Sequence, residues 1–264
     1  MKPNNENDKV CLVIPFHNEA KSVAPLLQEW INTLSFHKIN FTILALNSGS
    51  TDDTRGVLRT LTETYPQLLL RDIEDHGHGK ALMEGYRDAI QSDADWVFQC
   101  DSDGQIRPLE FLKFWDNRHI YETQIGYRAQ RADGLFSSLF SKFNSKILSK
   151  MFGTYVLDIN IPYRLIKRDL LSIIINEIPP TTFFPNIFIS LLAAKTSNGF
   201  SQSPVVHRVR QFQHTLKTSH SMLFTSIEAL LEIISFRFVF SSRVNDITSI
   251  KSRNEEKIRK AISK

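Results

Sequence analysis

The segment Trp96-Val-Phe-Gln-Cys-Asp-Ser-Asp-Gly-Gln105 begins as a short apolar strand and continues into two carboxylates that one residue separates. Three apolar runs upstream are also typical of strands, at 10–14, 41–46 and 68–72. Residues with helical spacing fill the intervals, at 22–34, 51–61 and 79–92. Strand–helix alternation at this rhythm predicts right-handed βαβ units, and therefore an α/β fold whose mostly parallel sheet carries helices on both faces.

Polar residues follow the carboxyl ends of the predicted strands, at 15–19, 47–53, 75–80 and 101–105. In open parallel sheets ligands bind beyond these ends, so we expect the four segments to border one cleft. Asp101 and Asp103 are placed to meet one hard divalent cation, with the side-chain oxygen of Gln105 as a further ligand. Mg²⁺ or Mn²⁺ suits such oxygens and leaves positions for diphosphate oxygens. The alternative is a plain Asx-rich turn, which Asp and Gly favour.

The composition is that of a globular chain in a reducing compartment. Of its 264 residues 42% are hydrophobic and 11% aromatic, which excludes a disordered or low-complexity chain. Cys11 and Cys100 lie 89 positions apart without a CxxC motif, so neither a disulfide framework nor a zinc knuckle is indicated. No signal peptide is recognisable at the start, and prolines interrupt the longest uncharged apolar stretch, 178–194. We therefore expect a cytoplasmic protein, soluble or peripheral at the cytoplasmic face of a membrane.

Charge is unevenly distributed along the chain, whose formal net charge is +4. Residues 1–125 sum to −7, residues 126–236 to +6 and residues 237–264 to +5. An acidic half before a basic one is consistent with an ion and a polyanion in one cleft, or with simple surface variation. Because the basic residues lack interleaved aromatics, a nucleic-acid partner is not expected. The net excess belongs to the end of the sequence, which indicates attachment rather than catalysis.

Seven motifs carry a resemblance to a known family. They are Val13-Ile-Pro-Phe-His-Asn-Glu19, 46–54, His76-Gly-His-Gly-Lys-Ala-Leu82, Asp101-Ser-Asp-Gly-Gln105, 126–133, Asp158-Ile-Asn-Ile-Pro-Tyr-Arg164 and 205–210. With them the chain resembles family 2 glycosyltransferases of the GT-A fold, especially the dolichyl- or polyprenyl-phosphate sugar transferases.

The resemblance implies an inverting transfer of a sugar from a UDP- or GDP-sugar to a polyprenyl or dolichyl phosphate, with Mg²⁺ or Mn²⁺. Two alternatives stay open. One is a glycan or lipopolysaccharide-type acceptor, and the other is a non-catalytic nucleotide-binding module.

The resemblance also implies roles for single residues. The donor contacts are Pro15, Phe16, Glu19, Asn47, Ser48, Asp52, Gly79, Lys80, Asp101 and Ser102. The metal ligands are Asp101, Asp103 and Gln105, and the catalytic residues are Arg128, Arg131 and Asp158. The acceptor or diphosphate side is expected to hold Asn160, Arg164, His207 and Arg210. His76 and His78 are interpreted as part of the donor loop rather than as a metal pair.

Three of these assignments leave alternatives. Asn47 and Ser48 stand where many relatives have acidic residues, so the nucleotide base stays open. Arg128 and Arg131 could instead form a solvated basic face. Asp158 could be a base, a positioning residue or a partner in a loop ion pair.

The predicted organisation has three parts: a polar extension at 1–8, the GT-A domain at 9–215, and an amphipathic helix with a basic tail at 216–264. Within the domain we expect extended segments at 155–165 and 200–209, with a helix at 186–194 between them. The helix at 221–237 has one polar stripe and a wide apolar surface, which could dock on the domain, pair with a second copy or lie at a membrane interface. The tail after residue 237 is expected to be loosely ordered. The oligomeric state is not predicted.

Overall fold

The computed structural model describes residues 7–74, 77–129, 145–208 and 219–262. Within them a seven-stranded sheet has the order β3-β2-β1-β4-β6-β5-β7. The strands are β1 Lys9–Phe16, β2 Asn40–Ser48, β3 Leu68–Ile73, β4 Trp96–Cys100, β5 Thr123–Arg128, β6 Tyr163–Lys167 and β7 Phe200–Val205. β1, β2, β3 and β4 pair in parallel, as do β5 and β7. The mostly parallel sheet that the sequence predicts is therefore present.

Helices cover both faces of this sheet. They are α1 Ala20–Phe36, α2 Thr54–Thr64, α3 His78–Gln91, α4 Leu109–Asp116, α5 at 145–151, α6 Arg168–Asn176, α7 Pro185–Thr196 and α8 Ser219–Ile262. One apolar core joins the sheet to α1, α2 and α4, and the rings of Trp30 and Phe111 contact each other within it. The other core joins the opposite face to α3, α6, α7 and α8. Burial of these two apolar layers is the main stabilising term of the fold.

β6 is the one strand that runs against its neighbours in the described sheet, because it pairs antiparallel with both β4 and β5. The sequence predicts extended structure from 155 to 165, but β6 begins only at Tyr163, and a bend followed by a turn occupies 157–160. β7 ends at Val205, and His207 then forms an isolated antiparallel bridge with Ile106. This bridge fastens the segment after β7 to the end of the loop after β4.

The expectation of a loosely ordered tail after residue 237 is wrong. α8 continues without interruption from Ser219 to Ile262 and packs on α6 and α7. Its second half is held by the buried side chains of Phe240 and Ile247. Ion pairs add to this, since Arg243 reaches Glu177 at 2.7 Å and Lys251 reaches Glu122 at 2.7 Å. No helix in the described part of the chain is long and apolar enough to span a bilayer.

Candidate active site

A cavity of ≈ 310 Å³ opens where β1, β2 and β4 end and α3 begins. Its lining is Pro15, Phe16, His17, Glu19, Ser48, Gly77, His78, Asp101, Ser102 and Asp103. The residues come from the four strand-end segments that the sequence predicts would border one cleft. Two lining residues, His17 and Gly77, are absent from the predicted site residues, although the motifs at 13–19 and 76–82 contain them. His78 belongs to the predicted donor loop.

The loops after β1 and β2 are fastened together at the mouth of this cavity. His17 donates from Nδ1 to the carbonyl of Ser48 at 2.6 Å. Asn18 adopts a left-handed conformation with φ 55°, and its Oδ1 accepts from the backbone N–H of Thr51 at 2.7 Å. Asn and Asp tolerate this conformation because their short polar side chains bond locally. The two loops therefore form one rigid wall.

Asp52 supports this wall from outside the cavity. Its Oδ2 accepts from the N–H of Ala20 at 3.1 Å, and its Oδ1 accepts from the Thr54 hydroxyl. Thr54 Oγ1 in turn accepts from the N–H of Glu19 at 2.7 Å. Desolvation opposes ionisation, but these hydrogen bonds outweigh it and lower the pKa of Asp52. Asp52 thus stays charged and satisfies backbone donors at the start of α1.

Asn47 and Ser48 have different surroundings. Ser48 lines the cavity, whereas Asn47 donates from Nδ2 to Asp72 Oδ1 at 2.8 Å. Asn47 is 5% exposed, and its Oδ1 has no hydrogen-bond partner among the described residues. The structure therefore brings only the second residue of this pair into contact with the cavity.

The start of α3 is packed against the loop before α7. Gly77 has a φ of +88°, which favours glycine. A Cβ on Gly79 would lie 2.3 Å from the carbonyl oxygen of Thr182 and 2.7 Å from that of Phe183. Gly79 and Lys80 do not line the cavity, so glycine at 79 serves a close backbone approach that fixes one wall. His78, the first residue of α3, lines the cavity on this side.

Asp101 lies at the end of β4 among acidic neighbours. Desolvation, followed by the charges of Asp103 and Glu19, raises its pKa to about 8. Its Oδ1 is shielded from solvent and has no hydrogen-bond partner within the described residues. A divalent cation would relieve both conditions, since it pairs with the oxygen and favours the ionised carboxylate. The residues present therefore fit an oxygen-ligated metal.

Asp103 and Gln105 shape the loop beside this carboxylate. Asp103 Oδ1 accepts from the N–H of Gln105 at 3.0 Å, which is the Asx turn that the sequence offers as an alternative. The side-chain Nε2 of Gln105 donates to the backbone carbonyl of Arg208 at 3.3 Å. The backbone carbonyl of Gln105 accepts from the N–H of Arg208 at 2.7 Å. The side chain of Gln105, a predicted metal ligand, thus holds segment 207–208 and does not line the cavity. Across the described ranges, no three His, Cys, Asp or Glu side chains form a metal cluster.

Arg128 and Asp158, both predicted to be catalytic, form a bidentate ion pair. Arg128 Nε lies 2.7 Å from Asp158 Oδ2, and Nη2 lies 3.0 Å from Oδ1. The exposed fractions of the two side chains are 15% and 8%. The pair joins the end of β5 to the turn before β6. Both oxygens of Asp158 therefore accept hydrogen bonds from one guanidinium, as charge-assisted bidentate pairs do.

Arg164 differs most from its predicted place on the acceptor side. It is 0% exposed, and its guanidinium donates to the carbonyls of Asn186 and Ile161 and to the Ser190 hydroxyl. Desolvation lowers its pKa, although Tyr86 and Asp101 oppose the shift. Arg164 therefore ties β6 to α7 beneath the cavity and does not line it.

The other predicted acceptor-side residues are more scattered. Asn160 is exposed in the turn before β6, and His207 stands in the bridge to Ile106. Arg131 and Arg210 lie outside the described residues, as does His76.

Comparison with known proteins gives a family match. The model of "Glycosyl transferase family 2" matches residues 11–172. Similar curated proteins include the undecaprenyl-phosphate 4-deoxy-4-formamido-L-arabinose transferase of Sodalis glossinidius (strain morsitans). It is 25% identical to this chain over 208 residues, and the alignment covers 78% of this chain and 61% of the relative. The enzyme of the same name from Klebsiella pneumoniae (strain 342) is 24% identical, with coverage of 77% and 61%. The chain thus spans 61% of the length of these relatives.

Solved structures share the fold at low sequence identity. Glucosyl-3-phosphoglycerate synthase from Mycobacterium tuberculosis with UDP has a TM-score of 0.59 and 17% identity, covering 88% of this chain and 80% of that one. Mannosyl-3-phosphoglycerate synthase from Rubrobacter xylanophilus has a TM-score of 0.58 and 16% identity, with coverage of 89% and 75%. These likenesses confirm the predicted GT-A fold. The predicted C-terminal helix is present as α8.

Proposed function

The chain belongs to glycosyl transferase family 2, and on that premise we propose that it transfers a sugar, with inversion, from a UDP- or GDP-sugar to a polyprenyl phosphate. One observation carries the proposal. The carboxylates of Asp101 and Asp103 share a single cavity with the loops after β1 and β2 and with the first turn of α3. The names of the curated relatives, undecaprenyl-phosphate sugar transferases, support the acceptor class.

Asp101 and Asp103 are the residues that would hold Mg²⁺ or Mn²⁺. The ion would supply Lewis-acid stabilisation of the negative charge that develops on the departing nucleoside diphosphate. The protein contributes in the same direction at the start of α3, because the positive end of a helix dipole favours phosphate. The wall formed by His17, Asn18 and Ser48 would hold the nucleoside in a fixed orientation, which lowers the entropic cost of reaction.

Asp158 has the role of a positioning residue in this scheme. An oxygen of the acceptor phosphate forms a bond to the anomeric carbon, and the bond from that carbon to the donor diphosphate breaks, leaving the electron pair on the diphosphate. A phosphate acceptor is already an anionic nucleophile, so deprotonation by a general base is not required. The bidentate contact from Asp158 instead keeps Arg128 in place at the end of β5.

A polyprenyl phosphate resides in a membrane, so this reaction has to occur at a membrane surface. We place the chain at the cytoplasmic face as a peripheral protein. The exposed apolar side chains Leu231, Ile234 and Phe238 of α8 and the positive charge of 237–264 support this location.

Two screens test the proposal. In the first, UDP-sugars and GDP-sugars are compared by thermal shift with Mn²⁺, because a ligand that binds the native state raises the unfolding temperature. In the second, the stabilising donor is incubated with polyprenyl phosphate or with soluble glycans, and product is measured. We expect product with the lipid acceptor. Product with glycans alone would support the alternative acceptor class, and donor binding without product on any acceptor would support a non-catalytic module.

A further inference from the structure

A second cavity, of ≈ 370 Å³, lies between α5, α7 and α8 and shares no lining residue with the candidate active site. Its apolar lining consists of Met151, Phe152, Phe240 and Val244. Three cations from three different elements surround it, namely Lys150, Lys195 and Arg237. No acidic residue lines this cavity. The combination of an apolar floor with a cationic rim favours a ligand that has an anionic group attached to an apolar part.

The three cations differ from Arg243 and Lys251 of α8, each of which has a carboxylate partner. Arg243 pairs with Glu177 at 2.7 Å, and Lys251 pairs with Glu122 at 2.7 Å. Lys150, Lys195 and Arg237, by contrast, form no ion pair with another described residue, although Arg237 Nε donates to the carbonyl of Met151 at 2.7 Å. Cations that converge without counter-charges repel one another, and an anion between them would remove that repulsion.

Exposed apolar side chains continue outward from the cavity. Ile234 and Phe238 of α8 are 41% and 84% exposed, and they precede Ser241, a lining residue, on the same side of the helix. On α5, Ile147 is 47% exposed and stands one turn before Lys150. Apolar surface beside a cationic rim is typical of proteins that lie on an anionic bilayer.

We propose that this cavity binds the phosphate head group of an anionic membrane phospholipid. Lys150, Lys195 and Arg237 contact the phosphate, and Ile147, Ile234 and Phe238 enter the acyl boundary. The inference rests on the proposed function in one respect, the location at a membrane, and its test uses neither donor nor acceptor. The inference places membrane attachment at the middle of α8 and the adjoining parts of α5 and α7, rather than at the basic residues near the end of α8.

The experiment is vesicle flotation of the full chain. Vesicles of phosphatidylcholine alone are compared with vesicles that also contain phosphatidylglycerol, and binding is expected only to the second kind. The triple variant Lys150→Gln, Lys195→Gln, Arg237→Gln should lower the partition coefficient about 10²-fold, because each cation near an anionic surface contributes about fivefold. Phe238→Ser should lower it about tenfold through lost apolar contact. These side chains are exposed, so circular dichroism should show an unchanged fold.

The matched control is Arg253→Gln, Lys257→Gln, Lys260→Gln, which removes the same charge from the end of the same helix. It should leave the partition coefficient nearly unchanged. If the control lost as much membrane binding as the cavity variant, the attraction would be a diffuse effect of net charge, and the inference would be overturned.

Inorganic phosphate, compared with chloride at equal ionic strength, distinguishes the source of the anion. Failure to displace the chain supports a lipid, whereas displacement would assign the cavity to a free phosphate and overturn the proposal. Flotation without sugar transfer would count against the proposed function alone. Transfer in detergent without flotation would count against this inference alone.

Discussion

Replacement of Asp158 by Asn tests whether this residue positions Arg128 or acts as a base. The substitution keeps the shape of the side chain and one acceptor oxygen, but it removes the charge that both guanidinium nitrogens contact. The cost follows from burial. Removing one partner of a buried pair costs about 3–5 kcal/mol, and we expect a value near the lower limit, because Arg128 keeps 15% of its side-chain surface exposed.

The expected loss of about 3 kcal/mol corresponds to a fall of about 6–12 °C in Tm for a chain of this size. Urea unfolding of Asp158→Asn, Arg128→Met and the double variant gives the coupling energy directly. We expect about 2 kcal/mol of coupling, since residues in direct contact are not additive. Single-variant costs that simply add within about 0.5 kcal/mol would show that the pair contributes nothing.

Activity measurements separate the two roles. If Asp158 acts through Arg128, Asp158→Asn and Arg128→Met should lower kcat/KM by similar factors, and the double variant should be no slower than either. If Asp158 were a general base, its loss alone would cost about 10²–10⁴-fold in rate and would remove one limb of the pH profile. That second outcome would refute the positioning role.

Two further predictions concern the walls and floor of the cavity. Gly79→Ala should cost about 1–3 kcal/mol in unfolding free energy and raise the donor KM, because its Cβ would meet the backbone of Thr182. In the control Gly56→Ala, the new Cβ would meet only the movable side chain of Asp53, so we expect the unfolding free energy to rise by up to about 1 kcal/mol. Equal changes in the two variants would contradict the close backbone approach at Gly79. Mn²⁺ must displace a proton from Asp101, whose pKa is about 8, so calorimetric affinity should rise about tenfold per pH unit up to about pH 8 and then level off. A pH-independent affinity would place the ion elsewhere.

The parallel half of the sheet and its cleft are predictable because their signals are local. Each strand is an apolar run that ends in polar or turn residues, and the residues at 101–105 follow the strand that lies centrally in the sheet. The carboxyl ends of parallel strands share one edge, so sequence position alone brings Asp101 and Ser48 together.

The remaining features depend on contacts distant in sequence. The burial of Arg164 follows from two partners on α7, the Asn186 carbonyl and the Ser190 hydroxyl, and from the insertion of β6 between β4 and β5, neither of which its neighbours in sequence indicate. The ordered second half of α8 depends on the burial of Phe240 and Ile247 in the core and on ion pairs with Glu177 and Glu122, which lie far from it along the chain. This segment is charged and mostly polar, and its apolar pattern is weak. It forms a helix because tertiary contacts stabilise it.

The direct test of the central claim is transfer by Asp103→Asn in the presence of Mn²⁺ and the stabilising donor. Asn keeps an oxygen that accepts from the N–H of Gln105, so the loop and the unfolding temperature should be preserved. The metal is expected to stabilise the charge of the transition state by several kcal/mol, so its loss should lower the rate of sugar transfer to polyprenyl phosphate about 10³-fold. EDTA should reduce the parent chain to the same level. Undiminished transfer by the variant, or by the parent chain in EDTA, would contradict the assignment of this cavity as a metal-dependent glycosyltransferase site.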